Sequence, residues 1–411
     1  MIDKNDTATL SVGRTCVGAL GRHINGFVAF LLREGYAAKT VQEKSYLVME
    51  LSRWVERRRL PLMKLDEEQL RRFQISHHHR RQVQRGDMWT AQQLLQYLRD
   101  LGCIPVPQEK RDRSSLGRLT QDFERYLRSE RGHSPSTIGE YLHYVRLFLI
   151  DRFGGRALRL KALRRCAVHD FIVTHLKVGS RSRAKAIVHA LRSFLRFMHQ
   201  RGTITIDLAA IVPGVADWRL SHLPRSLPPQ QVKRLLASCD RSPLGRRNYA
   251  ILLLIARLGL RASEVVRMTL DDLDWDRGEI VVRGKDQKVE RLPLPTDIGE
   301  ALVKYLRDAR PACSTRRVFI RMRAPWTGLK GSEAVGAIVR TTLERAGLNP
   351  EVKGPHLLRH SLATNLLRRG ATLTEISQIL RHNNLTTTQI YAKVDVAALR
   401  AIALPWPRGA L

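Results

Sequence analysis

At 411 residues and 46.9 kDa the chain is longer than one ordinary hydrophobic core organises, so two or three domains are expected. Lys and Arg number 71 against 38 acidic residues, a net charge of +33, and such a surface attracts polyanions. With 43% hydrophobic residues the chain is not disordered for most of its length, and its longest purely apolar run, residues 250–256, falls far short of the roughly 20 needed to cross a bilayer.

The opening residues, Met1-Ile-Asp-Lys-Asn-Asp, lack the basic-then-apolar order of a secretory signal, and a cytoplasmic protein is expected. Residues 1–110 read as an N-terminal helical domain and residues 114–212 as a second one. Apolar side chains recur three and four apart in both, as in Phe27-Val-Ala-Phe-Leu-Leu and Ile187-Val-His-Ala-Leu-Arg-Ser-Phe-Leu-Arg-Phe-Met. The two segments also look alike. Phe27-x-x-Phe-Leu-x-x-Glu parallels Phe123-x-x-Tyr-Leu-x-x-Glu, and Leu62-Met-Lys-Leu parallels Leu160-Lys-Ala-Leu. Tyr97-Leu-Arg-Asp-Leu-Gly-Cys-Ile parallels Phe197-Met-His-Gln-Arg-Gly-Thr-Ile, at an offset that stays near 100 residues. Three matches in order suggest a duplication, set against the plainer reading that any two amphipathic bundles share such features. His77-His-His79 has no acidic or cysteine partner at ligand spacing, so it reads as a basic loop against DNA and not as a metal site.

Residues 213–226 carry Pro213, Gly214 and Pro224 and form a linker. The domain over residues 227–395 begins with a helix entered through proline in Ser226-Leu-Pro-Pro-Gln-Gln-Val. Helices follow over residues 249–257, 262–268, 335–346, 357–368 and 373–380. Strands over residues 279–283 and 289–294 are joined by the hairpin turn Gly284-Lys-Asp-Gln-Lys288. The tail, residues 396–411, holds an apolar helix-like piece closed by Pro405-Trp-Pro407. The five cysteines lack the short paired spacing of a zinc cluster or disulfide framework, and read as packing residues. The expected fold is multidomain and mainly α: N-terminal helical domains plus a mixed α+β domain with a small antiparallel sheet.

Four signals in the last domain supply what is needed to break a phosphodiester without a metal. The transition state carries extra negative charge, so the non-bridging oxygens need cations, the leaving oxygen needs an acid, and a nucleophile must attack in line. In Leu258-Gly-Leu-Arg261-Ala-Ser-Glu264 the glycine ends one helix and Arg261 starts the next, where a guanidinium and a helix N-terminus can both hold phosphate. Lys285 stands on the hairpin turn, able to give a proton once nearby arginines lower its pKa. His356-Leu-Leu-Arg359-His360 puts His356 and Arg359 three apart on one helical face, offering a base and a second clamp. In Leu380-Arg-His382-Asn-Asn-Leu-Thr-Thr-Thr-Gln-Ile-Tyr391, residues Thr386 to Thr388 can cap a short helix that presents Tyr391, a phenol that needs a base and positive surroundings to act as a nucleophile.

The order Arg261, Lys285, His356-x-x-Arg359, His382, Tyr391 resembles the active-site set of the tyrosine recombinase (phage integrase) family. The resemblance is strong over residues 227–394, moderate over residues 119–213, where the chain is similar to the family's helical core-binding domain, and does not directly reach residues 1–107. It implies that Arg261 and Arg359 bind the scissile phosphate and that Lys285 protonates the leaving 5′ oxygen. His356 then serves Tyr391 as acid or base, His382 hydrogen-bonds the phosphate, and Tyr391 forms a 3′-phosphotyrosyl bond. No metal or nucleotide cofactor is implied. The implied partners are double-stranded DNA and further copies of the chain, four protomers on two DNA sites passing through a Holliday junction, with the tail docked on a neighbouring protomer; companion recombinases are left open. The family more often has glycine where Arg381 stands and a small residue where Asp286 stands, which makes Lys288 the substitute proton donor. Two other functions share much of this pattern: a topoisomerase that rejoins the original strand, and an accessory DNA-binding protein without catalysis.

Overall fold

The structure is a computed structural model and describes residues 19–78, 86–107, 112, 114–154, 158–176, 180–215, 225–284, 288–382 and 387–394. It divides into two compact units, one formed by Met1–Val106 with Leu220–Leu411 and one by Pro107–Arg219.

The N-terminal part of the first unit is a bundle of α1 (Gly21–Arg33), α2 (Ala38–Arg57), a 3-10 turn at Leu62–Lys64, α3 (Glu67–His78) and α4 (Asp87–Asp100). Its core is the apolar stripe that the three- and four-residue spacing marks out: Phe27, Leu31, Val48, Leu51, Leu94 and Leu98 are all buried. Lys44 is buried beside it. Its ammonium donates to Thr90 Oγ1 at 2.8 Å and Gln93 Oε1 at 3.1 Å, and lies 4.8 Å from the Tyr36 ring centre.

The second unit runs α5 (Ser115–Arg125) with a π turn at Tyr126–Glu130, α6 (Pro135–Phe153), a 3-10 turn at Leu160–Ala162, α7 (Arg165–Leu176) and α8 (Arg181–Gln200). Serine side chains at 114, 134 and 180 accept from the first-turn amides of α5, α6 and α8, as expected of N-caps. The order helix, helix, 3-10 turn, helix, helix is that of the N-terminal bundle. Buried Phe123, Leu127, Val145, Phe148, Phe194 and Met198 stand at the places of Phe27, Leu31, Val48, Leu51, Leu94 and Leu98.

The remainder of the first unit opens with α9 (Pro229–Ala237), α10 (Pro243–Leu258) and α11 (Ala262–Arg267), followed by the strands β1 (Leu273–Asp274), β2 (Glu279–Arg283) and β3 (Val289–Pro293). Helices α12 (Thr296–Asp308), α13 (Ser332–Arg345), α14 (Pro355–Arg368) and α15 (Leu373–Ile379) follow, with a last 3-10 stretch at Gln389–Val394. The sheet is antiparallel in the order β1-β2-β3, with Ile280 opposite Leu292 and Val282 opposite Glu290. Helix α10 is buried from Ala250 to Ile255 and packs against α12 and α14, which is why its sequence is apolar all round and not striped. Within this unit the N-terminal bundle meets the loop after α12: Trp326 donates its backbone N–H to the Glu34 carbonyl at 3.0 Å, and its indole lies against Gly35. Among the described residues no helix is long and apolar enough to cross a membrane. His79, Lys285, Asp286, Thr386 and the tail over 396–411 lie outside the described residues.

Candidate active site

The site is built where α10 stops. Gly259 closes that helix in the left-handed conformation, φ 60°, and returns its N–H to the Ile255 carbonyl at 3.0 Å. A Cβ at this position would press on the Leu380 and Leu362 side chains, so glycine serves both the turn and the close approach of α14 and α15. Two residues later Arg261 stands at the N-cap of α11. The Glu264 carboxylate accepts the Arg261 backbone N–H at 2.7 Å and its Nη1 at 2.8 Å, while Arg261 Nη2 donates to the Arg381 carbonyl at 3.0 Å. One third of the Arg261 side chain remains exposed, enough to reach an incoming anion. Helix α11 has only six residues, and Glu264 already caps its first turn.

Arg359, on α14, is buried and donates to the carbonyls of Gly259 and Leu380. Burial, with Arg261 and Arg381 nearby, brings its pKa down to about 10, still charged at neutral pH. Both arginines thus hang on the carbonyls that the α10 and α15 termini leave over.

His356 occupies the first turn of α14, and burial with Arg359 and Arg261 beside it lowers its pKa. The imidazole that meets Tyr391 is a different one. His360, one turn further along, has Nδ1 2.7 Å from the Tyr391 hydroxyl, whereas His356 and His360 have ring centres 6.4 Å apart. In this geometry the imidazole beside the Tyr391 hydroxyl is that of His360, because the 3-10 stretch carrying Tyr391 packs against the middle of α14. Burial, then His356 and Arg359, push the His360 pKa down to about 4, so the ring is neutral at pH 7 and can accept a hydrogen bond from the phenol. Tyr391 is almost wholly buried, and burial raises its pKa to about 12, with Arg359 opposing.

His382 follows α15 and has Nδ1 2.7 Å from Thr388 Oγ1; burial, then Arg359 and Arg261, lower its pKa to about 4. Thr388 also accepts the Tyr391 N–H on its carbonyl at 3.0 Å, so one threonine links the His382 ring to the backbone of the nucleophile candidate.

Helix α15 ends in a Schellman turn: the His382 N–H returns to the Ser377 carbonyl at 3.0 Å and the Arg381 N–H to Gln378 at 2.9 Å. Arg381 takes the left-handed position, φ 53°, where a side chain costs about 1 kcal/mol relative to glycine. Its guanidinium is folded inward, with Nη2 3.0 Å from Glu264 Oε2. The site therefore gathers Arg261, His356, Arg359, His382 and Tyr391, and adds two residues that the sequence reading passed over. Their signals were spacing alone: His360 lies four after His356, and Glu264 three after Arg261. Lys288 lines a cleft with Arg261, Glu264, Glu290 and Arg381.

Residues 225–397 match the model of the phage integrase family, and residues 120–202 that of the phage integrase N-terminal SAM-like domain. The Sinorhizobium fredii protein named "Putative integrase/recombinase y4rA" is 42% identical over 402 residues, covering 97% of this chain and 98% of its own. This chain belongs to the phage integrase, or tyrosine recombinase, family. Tyrosine recombinase XerA of Thermococcus kodakarensis is 35% identical over 70% of this recombinase and 94% of its own length. Among solved structures, the XerH site-specific recombinase in a post-cleavage complex with difH shares the fold at TM-score 0.55 and 22% identity, covering 69% of this chain and 83% of its own. The Tn1549 transposon integrase with transposon right-end DNA does so at TM-score 0.55 and 17% identity, covering 69% and 97%.

Proposed function

We propose that this recombinase is a site-specific enzyme of a mobile element that cuts and rejoins double-stranded DNA through a 3′-phosphotyrosyl bond at Tyr391. The observation that carries the reading is the Tyr391 hydroxyl resting on a neutral imidazole beside two arginines anchored on backbone carbonyls. Arg261 and Arg359 neutralise the non-bridging oxygens of the scissile phosphate, and His382, held by Thr388, donates to one of them. His360 accepts the phenolic proton as Tyr391 Oη attacks phosphorus, with His356 behind it as the second imidazole. A hairpin lysine, Lys285 or Lys288, gives a proton to the departing 5′ oxygen. The charge that a metal would supply in other phosphoryl-transfer enzymes is carried by these cations, so cleavage is metal-independent. The covalent bond conserves the energy of the phosphodiester, and the 5′ hydroxyl of a partner strand reverses the step. Four protomers on two duplexes exchange strands in turn through a Holliday junction.

The N-terminal bundle is, in this reading, a second core-binding-like unit that lengthens the DNA footprint. Its matching order of elements and matching buried positions support a duplication.

The test is a set of nicked duplexes taken from the flanks of the chain's own coding locus, incubated in EDTA and run on a denaturing gel. Wild type is expected to give a protein–DNA adduct, Tyr391→Phe none, and His360→Gln an adduct formed about 100-fold more slowly. An adduct that persists in Tyr391→Phe would remove the proposal. Joining of two separate duplexes by wild type distinguishes recombination from topoisomerase-like relaxation.

A further inference from the structure

Glu290 is a carboxylate on the inward face of the β2–β3 hairpin, directly opposite buried Val282 and two residues from Leu292, which packs on the apolar core. Its side chain is 43% exposed, so water meets part of the charge and a cation can meet the rest. Among the described residues Glu290 pairs with Arg381, whose side chain is 5% exposed and whose Nε lies 3.7 Å from Glu290 Oε2. That Nε is buried and makes no hydrogen bond, while the Nη groups of the same side chain are occupied by Glu264 and by the Leu258, Gly259 and Ile379 carbonyls. Arg381 therefore has one face committed to the carboxylate that holds Arg261 and another turned to the hairpin. Lys288, two residues before Glu290, lines the same cleft. A left-handed turn position that glycine would fill without strain carries instead a side chain that spans from Glu264 to β3.

We propose that Arg381 is a positioning residue that registers the β2–β3 hairpin, through Glu290, against the phosphate-binding arginines. It thereby sets where the hairpin lysine meets the leaving oxygen. This rests on the reading above that a hairpin lysine is the proton donor. In the cleavage step the Tyr391 Oη–P bond forms, the P–O5′ bond breaks, and the lysine proton goes to O5′. Replacing the bridging 5′ oxygen with sulfur removes the need for that proton, because a thiolate leaves unaided.

The experiment compares single-turnover adduct formation by the full-length chain on nicked duplexes with oxygen or sulfur at the bridging position. Glu290→Gln keeps the shape of a half-exposed side chain and leaves the Arg381–Glu264 pair in place. It is expected to slow the oxygen substrate about tenfold or more and to recover to within about threefold of wild type on sulfur. Arg381→Gly is expected to slow both substrates, the oxygen one more, since Glu264 loses a partner as well. Lys285→Ala and Lys288→Ala run alongside, and the true donor recovers on sulfur. If neither lysine variant recovers, the proton-donor reading fails and takes the registering role with it. Recovery of a lysine variant, with Glu290→Gln equally slow on both substrates or like wild type on both, overturns the role of Arg381 alone.

Discussion

Tyr391 shows how much a nucleophile owes to its surroundings. Buried with its pKa at about 12, it is a poor attacking group by itself, and the neutral His360 and the positive Arg359 are what could make it one. The same burial has a consequence for stability. His360 and His382 take up protons near pH 4 in the folded chain but near 6.5 when unfolded, so between those values the unfolded state binds more protons. Stability is full above about pH 6.5 and falls as pH drops toward 4. Urea midpoints measured at pH 7.5 and 5 are expected to show the drop, and His360→Gln to flatten it; an unchanged slope would mean that His360 is not held neutral. Sequence placed His356 and Arg359 on one face of α14 and named His356 as the partner of the phenol, passing over His360. That choice depends on where a segment some thirty residues later packs, which is tertiary information.

Local signals were strongest where an element is long or bounded by a turn with its own chemistry. The β2–β3 hairpin, the proline entry of α9 and the helix over 357–368 lie close to their expected bounds, because period, proline and glycine all agree there. Strand β1 has two residues and no pattern to read, and exists only because β2 offers it an edge. Helix α12 is another matter, since Ile298, Ala301, Leu302 and Tyr305 carry a clear helical spacing that the sequence reading passed over. The contact of Gly35 with Trp326 was invisible, because it joins residues nearly three hundred apart. Gly35 has φ 84°, and a methyl group there would lie inside the indole ring. Gly35→Ala is expected to destabilise the N-terminal bundle by at least about 1 kcal/mol and to speed hydrogen exchange in α1 and around Trp326 together. Faster exchange in α1 alone would show that the indole contact does not join the two parts.

At the scale of the whole molecule, the net charge of +33 made a polyanion the expected partner, and the family assignment agrees with it. Each phosphate contact releases condensed counterions, so DNA affinity is expected to fall at least about tenfold between 50 and 200 mM salt. Footprints compare the full chain with residues 110–411: a second core-binding-like unit gives the full chain a longer protected stretch, and identical footprints would count against a DNA role for the bundle. The most direct test of the central claim is peptide mapping of the covalent adduct by mass spectrometry after nuclease digestion. The account predicts a nucleotide remnant on the peptide containing Tyr391, bonded through phosphorus to the phenolic oxygen. A remnant on any other residue, or an adduct of unchanged yield in Tyr391→Phe, would contradict it.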